Sequence, residues 1–330
     1  MNSNPLHINK ESEFIAYPIT CYPILKDRIW GGSNLKSIGK NIPNDSIGES
    51  WEVSMIGEDV SIVQNGAYQY TSIDVLIQNF SNEILGKEIV DQYGIQFPLL
   101  FKFLDAKTDL SIQLHPNDDL AKKRHNSFGK TEMWYIMEAE ENARIILGFN
   151  KNTSAEEYIQ HLENKTLPSI LQEYKVKKGD VFFIETGTVH AIGGGILLAE
   201  IQQTSDITYR IYDWDRVDSF GNPRELHVDL ALEAIDYRSK ETKVDYLKND
   251  NVSNSLVHCP FFRTNFIPLN GRINKVKDER FYVYICTEGN FEIEYKNESF
   301  VFAKGDTVLI PAQITAFTLK GKANLLEIYI

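Results

Sequence analysis

A glutamine and a histidine lie two residues apart in the short run Leu110–Asp118, LSIQLHPND. Residues i and i+2 of a β-strand point to the same side, so Gln113 and His115 share one face of a strand here. Pro116 ends the run, because proline cannot donate a ladder hydrogen bond. Spacing alone is most typical of a strand with a wet face and a surface histidine, so the rest of the chain must show whether the pair has a chemical role.

Other side chains that could do chemistry lie at positions where a structural role is as plausible as a functional one. Lys102 interrupts the apolar segment PLLFKFL. A lysine there either has a functional role in a site or extends its charged end into solvent from the edge of a sheet. Arg210 lies in the aromatic segment YRIYDWD and is either a site cation or a surface arginine stacked on rings. Glu132 precedes the run MWYIM and His190 follows a tight turn, which are common places for a carboxylate and a histidine.

Composition narrows the function classes. The chain has 330 residues, of which 42% are hydrophobic and 24% charged, which is ordinary globular usage. The net charge of −12 disfavours broad nucleic-acid binding, because phosphate neutralisation needs a basic surface. A small anionic substrate is compatible with this charge if a few lysines and arginines converge locally.

Targeting signals are not evident. No stretch approaches 18 consecutive apolar residues, and the start MNSNPLHINKESEF lacks the apolar region of a secretory signal. The three cysteines, Cys21, Cys259 and Cys286, are far apart and form no CxxC pair, so neither a disulfide framework nor a cysteine zinc site is supported. We therefore expect a cytoplasmic protein.

The elements that must position these residues are mainly strands. Turn signals are frequent, and the runs between them are short and rich in Val, Ile, Phe and Tyr, as in VFFIET and FYVYIC. Helical periodicity predicts a helix over 71–86, a helix pair over 153–174 broken before Pro168, and a helix over 223–237 with Pro223 near its start. Helices are thus expected as insertions and connectors on a β scaffold.

A weak internal repeat divides the chain. The segments 177–190, KKGDVFFIETGTVH, and 303–316, AKGDTVLIPAQITA, share a Lys-Gly-Asp turn, a strand-like run and a second turn. Ten residues after the aspartate, the first copy has His190 and the second has Ala316. We expect two similar β modules, of which the first holds the chemistry and the second is structural.

The Lys-Gly-Asp turn with its late histidine resembles the cupin jelly roll. Longer segments resemble type I mannose-6-phosphate isomerase, above all its short bacterial form: RIWGG, PLLFKFLDAKTDLSIQLHPND, GKTEMWYIM and GTVHAIGGGILLAEIQQTSDITYRIYDWDR. The resemblance runs from about Tyr22 to Asp236, and more loosely to the C-terminus. The segment YRIYDWDR differs from the Leu-Arg-Ala-Gly type of the longer enzymes.

This resemblance implies a mainly β fold, a double cupin-type jelly roll with a few inserted and connecting helices. Residues 1–15 would be a polar leader, 16–240 a metal-binding catalytic cupin domain with small helical insertions, and 241–330 a C-terminal cupin-like jelly roll lacking metal ligands. The expected partner is a small-molecule sugar phosphate, with no nucleic acid and no membrane. The chain is expected to be a monomer or a weak homodimer.

The resemblance also implies a metal site. Carried over from the family, Gln113, His115, Glu132 and His190 are the expected ligands of one Zn²⁺ per chain. A catalytic zinc takes three or four such ligands and keeps one position open. Gln113 is the weakest of the four, because a neutral amide oxygen is a poorer zinc ligand than imidazole or carboxylate.

The implied reaction is aldose–ketose isomerisation of mannose 6-phosphate and fructose 6-phosphate through an enediol(ate). Arg210 matches the active-site arginine of the family, and Lys130 and Glu200 are candidates for the proton-transfer base, with Asp206 as a further option. The alternatives are another cupin metalloenzyme, such as an oxygenase or a different sugar isomerase, and a metal-free sugar-binding regulator. The expected substrate-binding residues are Ser111, Lys102 and Asp206, of which Ser111 and Lys102 match the phosphate-side residues of the family.

Overall fold

The computed structural model describes residues 13–217 and 220–330. Strands dominate this part of the chain, as its turns and β-branched runs predict, so the mainly β fold class is confirmed. The described helices are α1 Ile73–Ile84, α2 Lys87–Tyr93, α3 Asp118–His125, α4 Ala155–Glu163 and α5 Val228–Ala234. Single 3₁₀ turns span Asn34–Ile38, Gly66–Tyr68 and Leu167–Ile170.

The strands follow one another in two groups. The first eight are β1 Cys21–Tyr22, β2 Ile24–Gly32, β3 Ile47–Val53, β4 Met55–Ile56, β5 Asp59–Val60, β6 Ile62–Val63, β7 Leu99–Ala106 and β8 Ile112–Leu114. The next eight are β9 Glu132–Ala139, β10 Arg144–Phe149, β11 Leu171–Lys175, β12 Val181–Ile184, β13 His190–Ile192, β14 Ile196–Gln203, β15 Tyr209–Tyr212 and β16 Lys243–Val244. The C-terminal strands are β17 Asn254–His258, β18 Arg263–Val276, β19 Tyr282–Tyr295, β20 Glu298–Ala303, β21 Thr307–Ile310 and β22 Ala316–Tyr329.

Three antiparallel sheets carry the described fold. A seven-stranded sheet has the order β16-β12-β9-β14-β7-β2-β3, and a five-stranded sheet has the order β11-β10-β13-β8-β15. The C-terminal sheet has the order β17-β18-β22-β19-β20, with β21 paired to β19.

The seven-stranded sheet is buried on both faces. Because side chains alternate along a strand, Phe101 and Phe103 enter a core shared with the C-terminal strands, while Leu104 and Trp134 enter a core shared with the five-stranded sheet. The two faces therefore pack against different parts of the chain. One packs against the C-terminal strands, and the other faces the interior of the first β module.

The outer face of the five-stranded sheet is covered by helices. Tyr158 of α4 and Ala231 of α5 are fully buried in a third core, which also contains Ile112 and Leu114 of β8. The alternate residue of β8, Gln113, is therefore left to face the interior of the first module. This burial pattern decides which side chains of β8 can reach a site.

One predicted helix is confirmed and another is wrong in its second part. The helix expected over 71–86 is present as Ile73–Ile84. Over 153–174 only Ala155–Glu163 is α-helical, because Leu167–Ile170 is a single 3₁₀ turn and β11 follows it. β11 pairs with β10, and that tertiary pairing overrides a weak helical periodicity.

The helix expected over 223–237 is shorter than predicted. It spans Val228–Ala234, with His227 at the N-cap position, and Pro223 instead forms an isolated β-bridge with Val217. The sequence interpretation also missed α2 and α3, each less than ten residues long and without strong apolar periodicity.

The internal repeat has a matching backbone. In the first copy the Asp180 carboxylate accepts a hydrogen bond from the Lys177 amide at 3.0 Å, and in the second Asp306 accepts one from the Ala303 amide at 2.7 Å. Both turns need a glycine with positive φ, at +85° for Gly179 and +92° for Gly305. Ala316 is exposed at the start of β22, whereas His190 is buried.

The predicted leader, residues 1–15, lies mostly outside the described residues. Within its described part, Phe14 is buried and stacks on Tyr68 with ring centroids 5.5 Å apart, so the packed chain begins before residue 16. Among the described residues, no helix combines the length and the hydropathy that crossing a membrane would require.

Candidate active site

A cavity of about 340 Å³ lies inside the first β module. Polar and charged side chains from both sheets and from the segments after β14 and β15 surround it. Its lining residues are Arg28, Trp30, Glu49, Trp51, Lys102, Leu104, Leu110, Ser111, Gln113, Lys130, Trp134, His190, Ile192, Glu200, Asp206, Thr208, Arg210 and Arg224.

Three buried donors converge beside this cavity. One ligand atom each from His115, Glu132 and His190 lie within 4.8 Å of one another. The Nε2 atoms of His115 and His190 are 3.6 and 3.7 Å from the Glu132 carboxylate oxygens. Two imidazole nitrogens and a carboxylate are a donor set that suits zinc and other first-row metals.

Backbone carbonyls orient both imidazoles. His115 Nδ1 lies 2.7 Å from the carbonyl oxygen of Ile207, and His190 Nδ1 lies 2.9 Å from that of Thr188. Each Nδ1 must carry the proton to donate to a carbonyl, which leaves the lone pair of each Nε2 directed toward the cluster. The His115 Nε2 accepts a hydrogen bond from Lys130 Nζ at 3.2 Å. Burial lowers the pKa of His190 to about 4 and, with the nearby Lys130 charge, lowers the pKa of His115 well below its usual value. Both rings are therefore neutral at pH 7, as metal ligation requires.

The carboxylate of Glu132 fits a cation. Its Oε2 pairs with Lys130, but its buried Oε1 has no hydrogen-bond partner among the described residues. Burial raises the pKa of Glu132, and the neighbouring Glu200 carboxylate adds to that rise. An orphaned buried oxygen and a raised pKa both indicate that this group lacks positive charge, which a divalent metal would supply.

Gln113 reaches the edge of this cluster. β13 pairs with β8 so that His190 lies directly opposite Gln113, and the Gln113 side-chain amide is 3.5 Å from His190 Nε2. The Ser111 hydroxyl donates to the Gln113 side-chain oxygen, Oε1, at 3.3 Å. The Gln113 side chain is therefore within reach of a bound metal. These two contacts assign which end of its amide is the oxygen and which is the nitrogen.

A second group of buried charges lies beside the metal cluster. Glu200 accepts hydrogen bonds from the Trp134 indole at 3.0 Å and from Lys102 at 3.2 Å, and Lys130 Nζ is 3.6 Å from it. Burial opposes ionisation of Glu200, but Lys130 and Lys102 lower its pKa to about 2. The Glu132 and Glu200 carboxylates raise the pKa of Lys130 despite its burial. Glu200 is thus ionised and Lys130 protonated at pH 7 in the metal-free protein.

The sequence interpretation missed three residues of β2 and β3. Glu49 accepts hydrogen bonds from the Trp51 indole at 2.6 Å and from Arg28 at 2.7 Å, and Lys102 lies 5.0 Å above the Trp51 ring. Nothing local in the segment IGESWEV marks a site. These residues reach it because β3 pairs with β7, which places Trp51 opposite Lys102.

Arg210 lies in a row of inward side chains. Arg210 pairs with Gln113 across β15 and β8, and Gln113 pairs with His190 across β8 and β13. Its Nη1 donates to the carbonyl of Glu225 at 2.9 Å, while its buried Nε has no hydrogen-bond partner among the described residues. Asp206 lines the same cavity from an exposed position at its rim.

All ten predicted site residues therefore converge on one place in the fold. Nine surround the cavity or the donor cluster as buried or half-buried side chains, and Asp206 stands at the rim. Their roles remain predictions. Trp134 could have been anticipated, because it shares the strand face of Glu132, whereas Glu49, Trp51, Arg28 and Arg224 depend on pairings and loops that the sequence does not show.

Two family models match the chain. Residues 19–158 match the catalytic domain of type I phosphomannose isomerase, and residues 253–330 match the cupin domain of mannose-6-phosphate isomerase. Together these regions include more than half of the chain. The cupin character of the C-terminal strands is thereby confirmed.

Curated relatives match nearly the full length. Mannose-6-phosphate isomerase ManA of Bacillus subtilis is 37% identical over 93% of this chain and 97% of its own length. Mannose-6-phosphate isomerase of Streptococcus mutans is 32% identical over 94% of this chain and 98% of its own.

Solved structures agree. The crystal structure of mannose 6-phosphate isomerase from Bacillus subtilis superposes with a TM-score of 0.87 at 35% identity, covering 95% of this chain and 99% of that one. A putative mannosephosphate isomerase from Archaeoglobus fulgidus has the same fold, with a TM-score of 0.77 at 21% identity over 96% of this chain and 98% of its own. By sequence and structure, the chain belongs to the type I phosphomannose isomerase family.

Proposed function

We propose that this chain interconverts mannose 6-phosphate and fructose 6-phosphate with one zinc ion, through an enediol(ate). The observation that carries the proposal is the buried His115, Glu132 and His190 cluster at the edge of a charged cavity. Family membership supports the reaction class. The donor chemistry supports a metal, and zinc is the metal proposed here.

The metal would be held by His115, Glu132 and His190, with Gln113 as the fourth ligand. When bound, it would supply Lewis acidity at the oxygens on which negative charge develops. The chain itself holds the imidazoles by their Nδ1 bonds to backbone carbonyls and so presents Nε2 inward. Burial of all three donors also shields them from bulk solvent.

Proton transfer between C1 and C2 is assigned to the buried charges. Glu200 is ionised and is the group able to accept a proton, while Lys130 is protonated and is able to donate one. A low pKa makes Glu200 a weak base until its lysine partners move toward substrate. Arg210 would stabilise developing enediolate charge or hold the phosphate, because its buried Nε still needs an acceptor.

Substrate binding is assigned to Ser111, Lys102 and Asp206. Ser111 and Lys102 are buried donors at the metal end of the cavity, and Asp206 can accept from sugar hydroxyls at its rim. We place the protein in the cytoplasm as a monomer or weak homodimer. In support of that compartment, Cys21, Cys259 and Cys286 are all free thiols.

The deciding experiment measures fructose 6-phosphate formed from mannose 6-phosphate, before and after treatment with a chelator. We expect turnover that is lost on chelation and restored by Zn²⁺. Turnover that survives removal of all metal would contradict the metal role. Sugar binding without turnover would favour the regulatory alternative, and turnover of a different sugar would favour another isomerase.

A further inference from the structure

The cavity has two ends that differ in charge balance. Among the described residues at the metal end, every cation has a carboxylate partner. The pairs are Arg28 with Glu49 at 2.7 Å, Lys102 with Glu200 at 3.2 Å, and Lys130 with Glu132. Before metal binds, this end carries no excess positive charge from its side chains.

The opposite end carries an arginine cluster, which consists of Arg210, Arg216 and Arg224. Asp213, which is 5% exposed, pairs with Arg216 Nη2 at 2.5 Å and with Arg224 Nε at 2.7 Å. Arg216 and Arg224 thus share one buried carboxylate. Among the described residues, Asp206 and Glu225 are further acids near this end, and both are exposed and therefore screened by water.

Two members of the arginine cluster face the cavity. Arg210 and Arg224 both line it, whereas Arg216 does not and instead donates to the carbonyl of Asp109 at 2.6 Å. The buried Nε of Arg210 lacks a partner among the described residues. An unmet guanidinium donor beside a second arginine suits an anion with several acceptor oxygens. Phosphate has three such oxygens and a charge of about −1.5 to −2 at pH 7.

The strand order separates this end from the metal. In the five-stranded sheet, β13 with His190 lies next to β8 with Gln113, and β8 lies next to β15 with Arg210. The backbone amide of His227 donates to the carbonyl of Arg210. The segment after Arg224 therefore runs along the outer side of β15. Neighbouring strands lie about 4.8 Å apart. The segment that carries Arg224 is therefore about three strand spacings from His190, on the side away from the metal.

We propose that Arg224, together with Arg210, binds the phosphate of the substrate, and that Arg224 makes the enzyme selective for a sugar phosphate over a neutral sugar. This inference rests on the proposed function and deepens it. The reacting C1 and C2 and the phosphate are at opposite ends of an open-chain hexose phosphate, as are the metal cluster and Arg224 in the cavity. Lys102 already forms an ion pair with Glu200, so it is a poorer phosphate ligand than Arg224.

The test measures inorganic phosphate as a ligand and as a competitive inhibitor of the zinc-loaded protein. Arg224→Ala is expected to weaken phosphate binding about 10- to 100-fold and to raise KM for mannose 6-phosphate by a similar factor, with kcat changed less. Arg224→Lys is expected to recover only part of the affinity, because an ammonium cannot reproduce the planar fork.

Arg216→Ala is the matched control. It also removes an arginine from Asp213, but from a side chain that does not line the cavity. Its phosphate affinity and KM are expected to stay within about twofold of wild type. An equal loss in Arg216→Ala would make the effect structural. Unchanged phosphate affinity in Arg224→Ala, or a larger loss in Lys102→Met, would place the phosphate elsewhere.

The two proposals fail in different ways. If the wild type binds phosphate through Arg224 but forms no fructose 6-phosphate, the isomerase proposal fails and the phosphate site stands. If it isomerises mannose 6-phosphate while Arg224→Ala keeps full phosphate affinity, only the phosphate assignment fails. A wild type that shows no phosphate binding also overturns the assignment.

Discussion

Two backbone carbonyls determine how the candidate metal ligands are presented. The carbonyls of Ile207 and Thr188 accept from the Nδ1 atoms of His115 and His190, so each ring has one tautomer and one orientation. Such outer partners raise ligand basicity and fix geometry. At this scale the site is prepared for metal by the chain alone.

Loss of either histidine should empty the site. Purified protein is expected to hold about one zinc per chain, and His115→Ala and His190→Ala are expected to weaken zinc binding at least 10- to 100-fold, since outer partners alone have effects of that size. Elemental analysis after dialysis measures this. His161→Ala, on α4 and outside the cavity, is the control and should keep its metal. Full metal retention in both site variants would contradict the ligand assignment.

Removal of the Arg210 guanidinium should lower turnover without removing metal. Arg210→Ala is expected to cost about 10²–10³ in kcat/KM, because the group acts on charge that develops or resides in the substrate. Steady-state kinetics with mannose 6-phosphate and with mannose separate the two roles. If Arg210 binds the phosphate, the variant should lose less kcat/KM with mannose than with mannose 6-phosphate. If Arg210 stabilises the enediolate, kcat/KM should fall equally with both sugars. Arg144→Ala, on the same sheet but paired with Asp109, should be neutral in catalysis. Unchanged kcat and KM in Arg210→Ala would return it to a structural role.

Individual residues were predictable where neighbours in sequence share a strand face. Gln113 and His115 are two apart, and Glu132 opens a strand whose Trp134 faces the same way. Glu49 and Arg28 were not predictable, because their place depends on which strands pair. Residue types and parity can be read from a single chain, whereas partners across a sheet cannot.

At the scale of elements, the segment after β15 is held by one carboxylate. Burial opposes ionisation of Asp213, but Arg224 and Arg216 keep its pKa below the usual value. A depressed carboxyl pKa contributes stability at pH values above its ordinary value of about 3.9, and this contribution is lost as pH falls further. The segment is therefore an acid-sensitive part of the fold.

Asp213→Asn should reveal that contribution. At pH 7 the variant is expected to lose about 1–3 kcal/mol of unfolding free energy, because two arginines lose their shared partner. The difference from wild type should shrink as pH falls below about 4, because Asp213 protonates there in the unfolded state before it does in the folded state, whose pKa is lower. Thermal melts of both proteins across this pH range measure it, and a difference that stays constant down to pH 3 would contradict the ion-pair explanation.

The repeated turn gives a prediction for the second module. Ala316 corresponds to His190 but is exposed at the start of β22, so there is no tight site for an added side chain to disturb. Ala316→Val should leave turnover unchanged and alter the unfolding free energy by no more than about 0.5 kcal/mol. Kinetics and melting of the variant check this. A specific loss of turnover in folded, metal-loaded protein would show that the second module takes part in the chemistry.

Elements were predictable where local pattern and tertiary pairing agree. The helix Ile73–Ile84 has both an apolar face and a core to bury it in, with Leu76 and Ile77 fully buried. Over 171–174 the periodicity suggested a helix, but the edge of β10 was available and β11 formed there instead. The competing partner is distant in sequence, which is why a local pattern could not reveal it.

For the whole molecule, the two halves share one hydrophobic core. That core includes Phe97 and Tyr135 from the first half and Phe266 and Phe281 from the second. The N-terminal segment also pairs with the C-terminal module, through a β-bridge between Ile19 and Leu309. The division at residues 240 and 241 remains a prediction about sequence modules, and this packing argues that the modules unfold together.

A single substitution at the shared core should test that cooperativity. Phe281 is fully buried, and its ring centroid lies 4.9 Å from that of Phe97 in the first half. Phe281→Ala should lower the unfolding free energy by about 3–5 kcal/mol, because it leaves a cavity where two aromatic side chains met. Val301→Ala, at a position that is 72% exposed, is the control and should stay within about 0.5 kcal/mol.

The readout is calorimetry together with thermal loss of isomerase activity. Because the shared core joins the second module to the strands that line the cavity, we expect one unfolding transition in wild type and in Phe281→Ala, shifted to lower temperature in the variant. Activity, which depends on residues of the first half, should be lost at the same shifted temperature although the substitution lies in the second. Two separate transitions, with activity retained through the first, would show instead that the modules are stable apart and that the interface between them contributes little to the site.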